Sequence, residues 1–300
     1  MRAQVVLTPQ ESKCLISKAI AGMDIVKKAA SSGTIVIHPS STTYYLVKEL
    51  TGDIPRTDHF VLGGVFPQGL CTEQNSSGKR PPAPSNEPPQ PPPKWMADRF
   101  PYKWVIKDGT LTSGIQLGKI LEEIKPDDVY VKGVNAVDTR FNTGVLFGHD
   151  GGGTIARVMR EQKIKGFNVI LAAGLEKLIP NSIAQAAKAM RNAHSFDYGM
   201  GMPCGLYPVR GGTTVTEIQA VEILSGANTT VISAGGVGGA EGAVTLAIEG
   251  TDAQVKKAIE YVEQSKGAKI PVPRPAPCQL CGSGDCFFPV RDKHWYPRWG

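Results

Sequence analysis

The stretch TIVIHPSST, residues Thr34–Thr42, decides the fold that we expect. Its first four residues, Thr34–Ile37, are apolar or β-branched throughout, which is typical of a strand that is buried on both faces. The polar turn Ser40–Thr42 offers side-chain oxygens of the kind that cap helices, and an apolar pattern at helical spacing continues as far as Gly52. The stretch therefore predicts a buried strand, a Ser/Thr turn and a helix, which together make one α/β unit.

A helix over residues 8–31 is predicted to precede this unit. Thr8 stands at the N-cap position and Glu11 three residues later, which is the spacing of a capping box. Pro9 suits the first helical position, because the N–H that it lacks would have no helical partner there. The chain is therefore expected to begin as helix, strand and helix.

The same alternation continues after residue 95. Strands are predicted at Asp128–Val131, Val145–Phe147 and Phe167–Ala172, and helices over 113–124, 154–162 and 181–193. Strands that alternate with helices indicate a mostly parallel sheet. We expect a three-layer α/β fold with helices on both faces of that sheet.

Residues 201–269 are predicted to form a smaller α+β domain of ferredoxin-like type. Three strands are expected in it, at Thr213–Leu224, Thr229–Ser233 and Gly242–Glu249. A helix through Ser265 follows them. This run of strands without intervening helices indicates a small antiparallel sheet.

Two compositional breaks complete the predicted domain organisation. The segment 75–94 contains thirteen consecutive residues of which eight are proline, so we expect an extended insertion there. A second proline-rich stretch leads into residues 270–300, a tail rich in cysteine and aromatic residues. The α/β ligand-binding domain is therefore expected to comprise residues 1–74 and 95–200.

Composition places the chain among globular proteins. Of its 300 residues, 41% are hydrophobic and 20% are charged, and the net charge is +6, which argues against general disorder. The first apolar run is too short for a secretory signal, and no run approaches the ~20 residues that span a bilayer. We therefore expect a cytoplasmic protein with no membrane partner. The modest positive charge permits anion binding without indicating nucleic acid.

A run of three glycines, Gly151–Gly153, indicates an anion-binding turn in addition to the polar turn Ser40–Thr42. It follows a predicted strand and precedes a predicted helix. Residues without side chains let backbone N–H groups approach an anion closely, and the helix N-terminus adds partial positive charge. Tight packing turns use the same residues, so a purely structural turn is the alternative.

Three motifs together resemble those of the ribose-5-phosphate isomerase A family and its superfamily relatives, the glucosamine-6-phosphate deaminases and the CoA transferases. The stretch KGVNAVD, Lys132–Asp138, stands where the isomerase family has DGADExD, and DGGGT, Asp150–Thr154, stands where it has KGGGA. The turn HPSST, His38–Thr42, stands where it has GTGST. The resemblance covers about residues 8–190. It implies an α/β fold that binds a phosphosugar or an acyl-CoA, with a small lid domain late in the chain.

The resemblance does not extend to the residues that isomerise ribose 5-phosphate. Asp150 replaces the lysine that precedes the family's glycines, and Met159 stands at the position of its general-base glutamate. An aldose–ketose isomerase needs a base that moves a proton between adjacent carbons. Because Met159 cannot accept a proton, we expect no ribose-5-phosphate isomerase activity.

The candidate site residues lie at predicted carboxyl ends of strands, where open α/β sheets bind ligands. Three acidic residues are candidates for catalysis: Asp138, Asp150 and Glu176. The candidates for ligand binding carry hydroxyl, amine or amide groups or are glycines: Ser40, Ser41, Thr42, Lys132, Asn135, Gly151, Gly152, Gly153 and Thr154. The alternative roles are helix capping for the hydroxyl groups and solvent exposure for Lys132.

The C-terminal tail carries a candidate metal site. Cys278, Cys281, Cys286 and His294 offer three thiolates and one imidazole, which is a ligand set of tetrahedral zinc. Three reduced cysteines in a partner-docking tail are the alternative, as is an iron–sulfur cluster completed by a cysteine from elsewhere in the chain. Zinc is the cofactor that we expect.

The sequence predicts a protein that binds a small anionic metabolite of phosphosugar or acyl-CoA type, with or without isomerase or transferase chemistry. The first alternative is a non-catalytic assembly protein that joins subunits through the Pro-rich arm and the aromatic, Cys-rich tail. The second is a nucleic-acid binder, because basic and aromatic residues interleave in the tail. A homo-oligomer is expected, and nucleic acid is the less favoured partner.

Overall fold

The computed structural model describes residues 1–52, 64–67, 69–71, 103–148, 150–191, 196–197 and 199–271, with the side chains of residues 113, 114 and 150 left aside. The predicted insertion at 75–94 lies outside these ranges. So does the predicted tail beyond residue 271.

Eight α-helices lie in the described part of the chain: α1 (Pro9–Gly22), α2 (Asp24–Ser32), α3 (Ser41–Thr51), α4 (Leu117–Glu123), α5 (Gly153–Lys165), α6 (Ile183–Ala189), α7 (Glu217–Ser225) and α8 (Asp252–Ser265). Two single-turn 3₁₀ helices are Asp150–Gly152 and Leu175–Lys177. None of these described helices is both long and apolar enough to cross a membrane.

Fourteen strands lie in the same part: β1 (Arg2–Leu7), β2 (Thr34–Ile37), β3 (Gly64–Phe66), β4 (Gly69–Cys71), β5 (Lys103–Lys107), β6 (Thr110–Ile115), β7 (Val129–Gly133), β8 (Ala136–Val137), β9 (Thr143–Phe147), β10 (Asn168–Ala172), β11 (Gly205–Val209), β12 (Thr213–Val215), β13 (Asn228–Ala234) and β14 (Val244–Glu249). Helices and mixed sheets together give the predicted α/β class.

The predicted order of helix, strand and helix is found over residues 9–51, but strand β1 precedes it and the first helix is broken. The capping box of α1 forms, since the Glu11 carboxylate accepts a hydrogen bond from the Thr8 N–H at 2.8 Å. The helix predicted over 8–31 is in fact two helices, because Met23 adopts extended dihedral angles (φ −67°, ψ 137°) between α1 and α2. Gly52 ends α3 in the left-handed conformation at φ 74°, the role in which glycine is favoured.

Six strands form the main sheet, in the order β12-β10-β7-β2-β5-β6. The first four run parallel, whereas β5 pairs antiparallel with both β2 and β6. β2 coincides with the predicted strand Thr34–Ile37 and lies in the interior of the sheet. The stretch that was expected to decide the fold therefore occupies its centre.

Alternate residues of each central strand enter different hydrophobic clusters on the two faces of the main sheet. Ile35 and Ile37 of β2 pack in a cluster with residues of α1, α2, α3, α7 and α8. Val36 packs in a second cluster with residues of α4 and α5. We call the side of Ile35 and Ile37 the α3 face and the side of Val36 the α5 face.

The predicted strand Val145–Phe147 does not belong to the main sheet. It is part of β9, which pairs antiparallel with β8 and β11 in a separate three-stranded sheet. Only residues 138–142 separate β8 from β9, and a parallel return to the main sheet would need a crossover of roughly a dozen residues. The short connection therefore forces β9 to fold back on β8.

The predicted strand Thr213–Leu224 is wrong beyond Val215. β12 ends there, and α7 begins at residue 217. Thr216 caps α7, and the Gln219 side chain completes a capping box with it. The apolar residues that were assigned to one long strand therefore belong to a short strand and an amphipathic helix.

The predicted strands Thr229–Ser233 and Gly242–Glu249 correspond to β13 and β14, which pair antiparallel. The third strand of their sheet is β1, from the other end of the chain, and β14 lies between the two. β11 pairs with β9, and β12 joins the main sheet. The strands of residues 201–269 therefore belong to three different sheets. Each of these sheets also contains at least one strand from before residue 201.

Candidate functional site

Three basic side chains lie side by side on the α5 face of the main sheet. In the register of the strands, His38 directly follows β2 and falls between Lys103 of β5 and Lys132 of β7. The His38 N–H continues the ladder by donating to the carbonyl of Val131 at 2.8 Å. Residues two positions apart in a strand point to the same face. Val105, Val36 and Tyr130 belong to the α5-face cluster, and they lie two positions from Lys103, His38 and Lys132, respectively. We call Lys103, His38 and Lys132 the basic row.

The basic row is buried without a counterion among the described residues. Lys103 is 1% exposed, and Lys132 and His38 are each 8% exposed. No described carboxylate lies within ion-pair distance of either amine, and neither amine hydrogen-bonds to a described group. Buried charges in proteins are normally paired, because an isolated buried charge is costly. Lysines that are buried with no described counterion are therefore candidates for contact with a negative group.

Burial lowers the pKa of every member of the row, and repulsion between charges adds to this effect for Lys132 and His38. Burial lowers the pKa of Lys103 from 10.5 to about 8. The pKa of Lys132 falls well below its usual value through burial and then through the charge of Lys103. Burial and the two lysines likewise lower the pKa of His38, so its ring is neutral at pH 7. With a pKa of about 8, Lys103 carries positive charge at pH 7.

His38 is fixed in place by two hydrogen bonds. Its Nδ1 lies 3.2 Å from the hydroxyl oxygen of Tyr130, a fully buried residue on the same face. Its carbonyl oxygen accepts a hydrogen bond of 2.7 Å from the Thr43 hydroxyl in the first turn of α3. The imidazole therefore lies between the two lysines in one orientation, with a phenol as its partner.

The predicted Ser40–Thr42 turn adjoins the carboxyl end of β7. Ser40 caps α3, since its Oγ accepts a hydrogen bond from the Thr43 N–H at 3.2 Å. A Cβ at Gly133 would lie only 2.9 Å from Ser40 Oγ, so glycine is needed for this close approach. Thr42 is buried, and its hydroxyl has no hydrogen-bond partner in the described ranges. The structure thus brings the Ser/Thr turn to the residue that follows Lys132.

The basic row lies where the order of the strands reverses. From β2 the chain passes to β5 and β6 on one side, and then to β7, β10 and β12 on the other. The connection after β2 leads to α3 on one face, whereas the connection after β7 leads through β8 and β9 to α5 on the opposite face. Connections that diverge in this way leave a crevice at the carboxyl ends of the strands, which is where open α/β sheets bind ligands. The basic row is therefore the candidate functional site.

The glycine turn and Asn135 lie on the side of the β8-β9-β11 sheet. Gly151–Gly153 have φ angles of 79°, 85° and 61°, which a residue with a side chain adopts only under strain. The turn opens α5 on the α5 face, with Asp150 at its head and Thr154 half-buried in the first helical turn. Asn135 Oδ1 accepts a hydrogen bond of 3.0 Å from a backbone N–H of β9. The two predicted anion turns thus start helices on opposite faces of the main sheet.

Asp138 is held by structural hydrogen bonds. Its carboxylate accepts from the backbone N–H groups of Arg140, Asn142 and Ile183 at 2.9–3.1 Å. Burial alone would raise the pKa of Asp138, but the Asn142 side chain and these N–H groups hold it below the usual value. The residue ties the β8–β9 turn to the start of α6, a role that differs from the predicted catalytic one.

We expect Asp138→Ala to lower the free energy of unfolding by about 3 kcal/mol, because it leaves several buried N–H groups without an acceptor. Urea denaturation followed by circular dichroism measures the change. Asp127→Ala is the matched control, since Asp127 is exposed and pairs only with Lys28 at the surface, and its effect should stay within about 0.5 kcal/mol. A stable Asp138→Ala protein that has lost anion binding would instead place Asp138 in the site.

Glu176 belongs to a second buried cluster, beside α1 and α7, in which the charges are balanced. Its Oε1 lies 3.5 Å from Lys13 Nζ and 3.9 Å from Lys177 Nζ. Glu217 is fully buried and accepts a hydrogen bond of 3.0 Å from the Leu175 N–H. Burial, with a contribution from the charge of Glu176, raises the pKa of Glu217 to about 7. Glu176 thus has two amines within ion-pair distance, whereas no described carboxylate lies within that distance of the lysines of the basic row.

The sequence predictions include Lys132 but omit Lys103, Tyr130 and the ring of His38. A partial signal exists in KWVIK, Lys103–Lys107, because strand alternation puts both of its lysines on the same face as Val105. Only the pairing of β5 with β2 shows that the first of these lysines is buried while Lys107 is exposed. The omitted residues are thus defined by contacts between strands that are distant in sequence.

Within the described ranges, no group of three or more His, Cys, Asp or Glu residues is placed to hold a metal ion. The predicted zinc ligands Cys278, Cys281, Cys286 and His294 lie outside those ranges. The zinc site therefore stays a prediction.

We expect protein purified without chelator to carry about one zinc ion per chain, since three thiolates and an imidazole complete a tetrahedral shell. Elemental analysis by mass spectrometry measures the metal. Cys281→Ser should lose it, whereas Cys14→Ser should keep it, because Cys14 is a free cysteine on α1. Wild-type protein with neither zinc nor iron would contradict the prediction.

The chain matches no known family model, no curated protein and no solved structure.

Proposed function

We propose that the protein binds a small anionic metabolite at the basic row, through a phosphate or carboxylate group of a phosphosugar-like or acyl-CoA-like ligand. The observation that carries this proposal is the burial of Lys103 and Lys132 on either side of His38 with no described carboxylate to compensate them. A bound anion would supply the missing charge.

The energetics of the row favour an anionic ligand over a purely structural role. An unpaired buried amine is destabilising, and a chain gains stability when such a group is replaced by an apolar one. A ligand that brings a negative charge converts the same amines into charge-assisted hydrogen-bond donors. The lysines of the row therefore destabilise the ligand-free protein, and the binding of an anion offsets this loss of stability.

The start of α3 adds a second source of positive potential to the proposed site. α3 is eleven residues long, and its first N–H groups follow the Ser40 cap beside Gly133. The N–H groups at a helix N-terminus lack intrahelical partners and attract anions. We propose that Ser40, Ser41 and Thr42 contact the ligand from the α3 side of the crevice while the basic row contacts it from the α5 side.

We further propose that the chain shares the three-layer arrangement of the ribose-5-phosphate isomerase and CoA-transferase superfamily. The order of β2, Ser/Thr turn and α3, with Lys132 and Gly133 at the end of the neighbouring strand, supports this. The sheet β1-β14-β13 with α8 is the part that we propose to be ferredoxin-like. Met159 is buried in the α5-face cluster and provides no base, so ribose-5-phosphate isomerisation is not proposed.

Sulfate is a suitable probe for this proposal, because its charge does not change between pH 7 and pH 9. Sulfate should bind at pH 7, and its affinity should fall about tenfold by pH 9, since Lys103 loses its proton near pH 8 and anions bind the protonated form. Isothermal titration at constant ionic strength, with chloride as the reference salt, measures both affinities. An affinity that does not change between the two pH values would contradict binding at this row.

A further inference from the structure

The two lysines of the basic row occupy different positions. Lys132 is at the carboxyl end of β7, beside Gly133 and the Ser40 turn, and is 8% exposed. Lys103 is at the start of β5 and is 1% exposed. His38 lies between them, with the Tyr130 hydroxyl on its Nδ1. A ligand in the crevice would thus meet Lys132 first, with a second amine, an imidazole and a phenol behind it.

We propose that Lys132 is a nucleophilic amine that forms an imine with a carbonyl group of the bound anion. The ligand class would then be small anionic aldehydes and ketones, such as 2-oxo acids or open-chain sugar phosphates. This inference rests on the proposed function, because the anion must first bind at the basic row.

Lys132 has the surroundings that make an amine nucleophilic. A lysine attacks a carbonyl only as the free amine, and burial next to another cation favours that form. Burial and the charge of Lys103 both lower the pKa of Lys132. Lys177 differs from Lys132 because the Glu176 carboxylate, 3.9 Å from its Nζ, opposes the lowering of its pKa by burial, whereas no described carboxylate lies within ion-pair distance of Lys132.

The proposed step balances with the groups present. Lys132 Nζ adds to the carbonyl carbon, and the carbonyl oxygen takes up a proton to give a carbinolamine. The hydroxyl group then accepts a second proton and leaves as water, while the nitrogen lone pair forms the C=N bond, and the nitrogen releases its two protons in the course of these steps, which balances the two that the oxygen takes up. No oxidation or reduction occurs, and the net change is the loss of one water. His38, one strand away and hydrogen-bonded to Tyr130, is placed to exchange these protons.

Reductive trapping tests the inference on the intact protein. Wild-type protein is incubated at neutral pH with glyoxylate as the carbonyl probe and with cyanoborohydride, and labelled lysines are identified by peptide mass spectrometry. Lys132 should be labelled at least about tenfold faster than Lys107, an exposed lysine of β5 in the same sheet. Added sulfate should slow labelling at Lys132 and leave labelling at Lys107 unchanged.

A variant and a second measurement separate this inference from the proposed function. Lys132→Arg should form no adduct at position 132, because a guanidinium group does not form an imine that cyanoborohydride can trap. The comparison of lysines within the wild-type protein needs no variant, so it stands even where Lys132→Arg does not fold. Sulfate binding with Lys132 labelled no faster than Lys107 would overturn the imine and leave the anion site intact. Absence of sulfate binding to wild type would overturn both.

Discussion

Lys103→Met should weaken sulfate binding by about 10- to 100-fold at pH 7, since a hydrogen bond to a charged group contributes about 1.5–3 kcal/mol. Lys103 carries charge at this pH, because its pKa is about 8. Methionine keeps the length and the apolar stem of the side chain and removes only the ammonium group. Isothermal titration measures the change.

Lys107→Met is the matched control for this loss. It removes the same charge from the other end of the same strand, where the side chain is exposed. Its sulfate affinity should stay within about twofold of wild type, because exposed charges are screened by salt. The double variant Lys103→Met/Lys132→Met should bind no sulfate at millimolar concentration. Equal losses for Lys103→Met and Lys107→Met would mean that the effect is one of net charge alone.

Lys103→Met should also stabilise the protein, although it weakens sulfate binding. A folded-state pKa of about 8 against 10.5 in the unfolded chain corresponds to about 3 kcal/mol at pH 7, and Lys103→Met removes this penalty. Urea denaturation in sulfate-free buffer should show the free energy of unfolding increase by roughly 2–3 kcal/mol, with the lower value reflecting the loss of packing around the stem. Lys107→Met should change it by less than about 0.5 kcal/mol.

The pH dependence of stability gives an independent test of the same penalty. A group whose folded pKa is lowered binds more protons in the unfolded chain, so wild-type stability should rise with pH between about 8 and 10.5. His38, Lys132 and Tyr130 share the face of Lys103, and the comparison of variant with wild type removes the part of the rise that the burial of Lys132 adds, while the part that the charge of Lys103 imposes on Lys132 is lost with Lys103. The advantage of Lys103→Met should therefore shrink over this range. If the free energy of unfolding of Lys103→Met exceeded that of wild type by the same amount at pH 7 and at pH 10, the result would contradict a buried ammonium group at position 103 that destabilises the folded protein.

Elements that depend on local pattern could be predicted from the sequence. The stretch Thr34–Thr42 predicted β2, the turn and α3, because strand period, capping residues and a terminal glycine all agree there. The same reasoning failed where a short connection decided the partner of a strand, as it did for β9. It also failed for the small sheet, because its third strand, β1, comes from the opposite end of the chain.

The candidate site likewise contains some residues that could be predicted from the sequence and others that could not. Lys132 and Ser40 were predictable, because each stands directly after or within an apolar run at a strand end. Lys103 was not, because its burial follows from the antiparallel pairing of β5 with β2 across more than sixty residues of intervening chain. The acidic candidates were judged by residue type, and the structure instead gives Asp138 hydrogen bonds and Glu176 two lysines. Residue type and sequence spacing indicate which chemical groups are present. The contacts that each group makes in the folded chain decide which of them remain free to bind a ligand.

The most direct test of the anion site is a crystal structure of the protein with selenate, the heavy analogue of sulfate, located by the anomalous signal of selenium. The account predicts one selenate at the carboxyl end of β2, with oxygen atoms about 3 Å from Lys103 Nζ and within hydrogen-bonding reach of Lys132 or His38. Selenate bound at the Gly151–Gly153 turn with the basic row empty, or no ordered selenate at a saturating concentration, would contradict it.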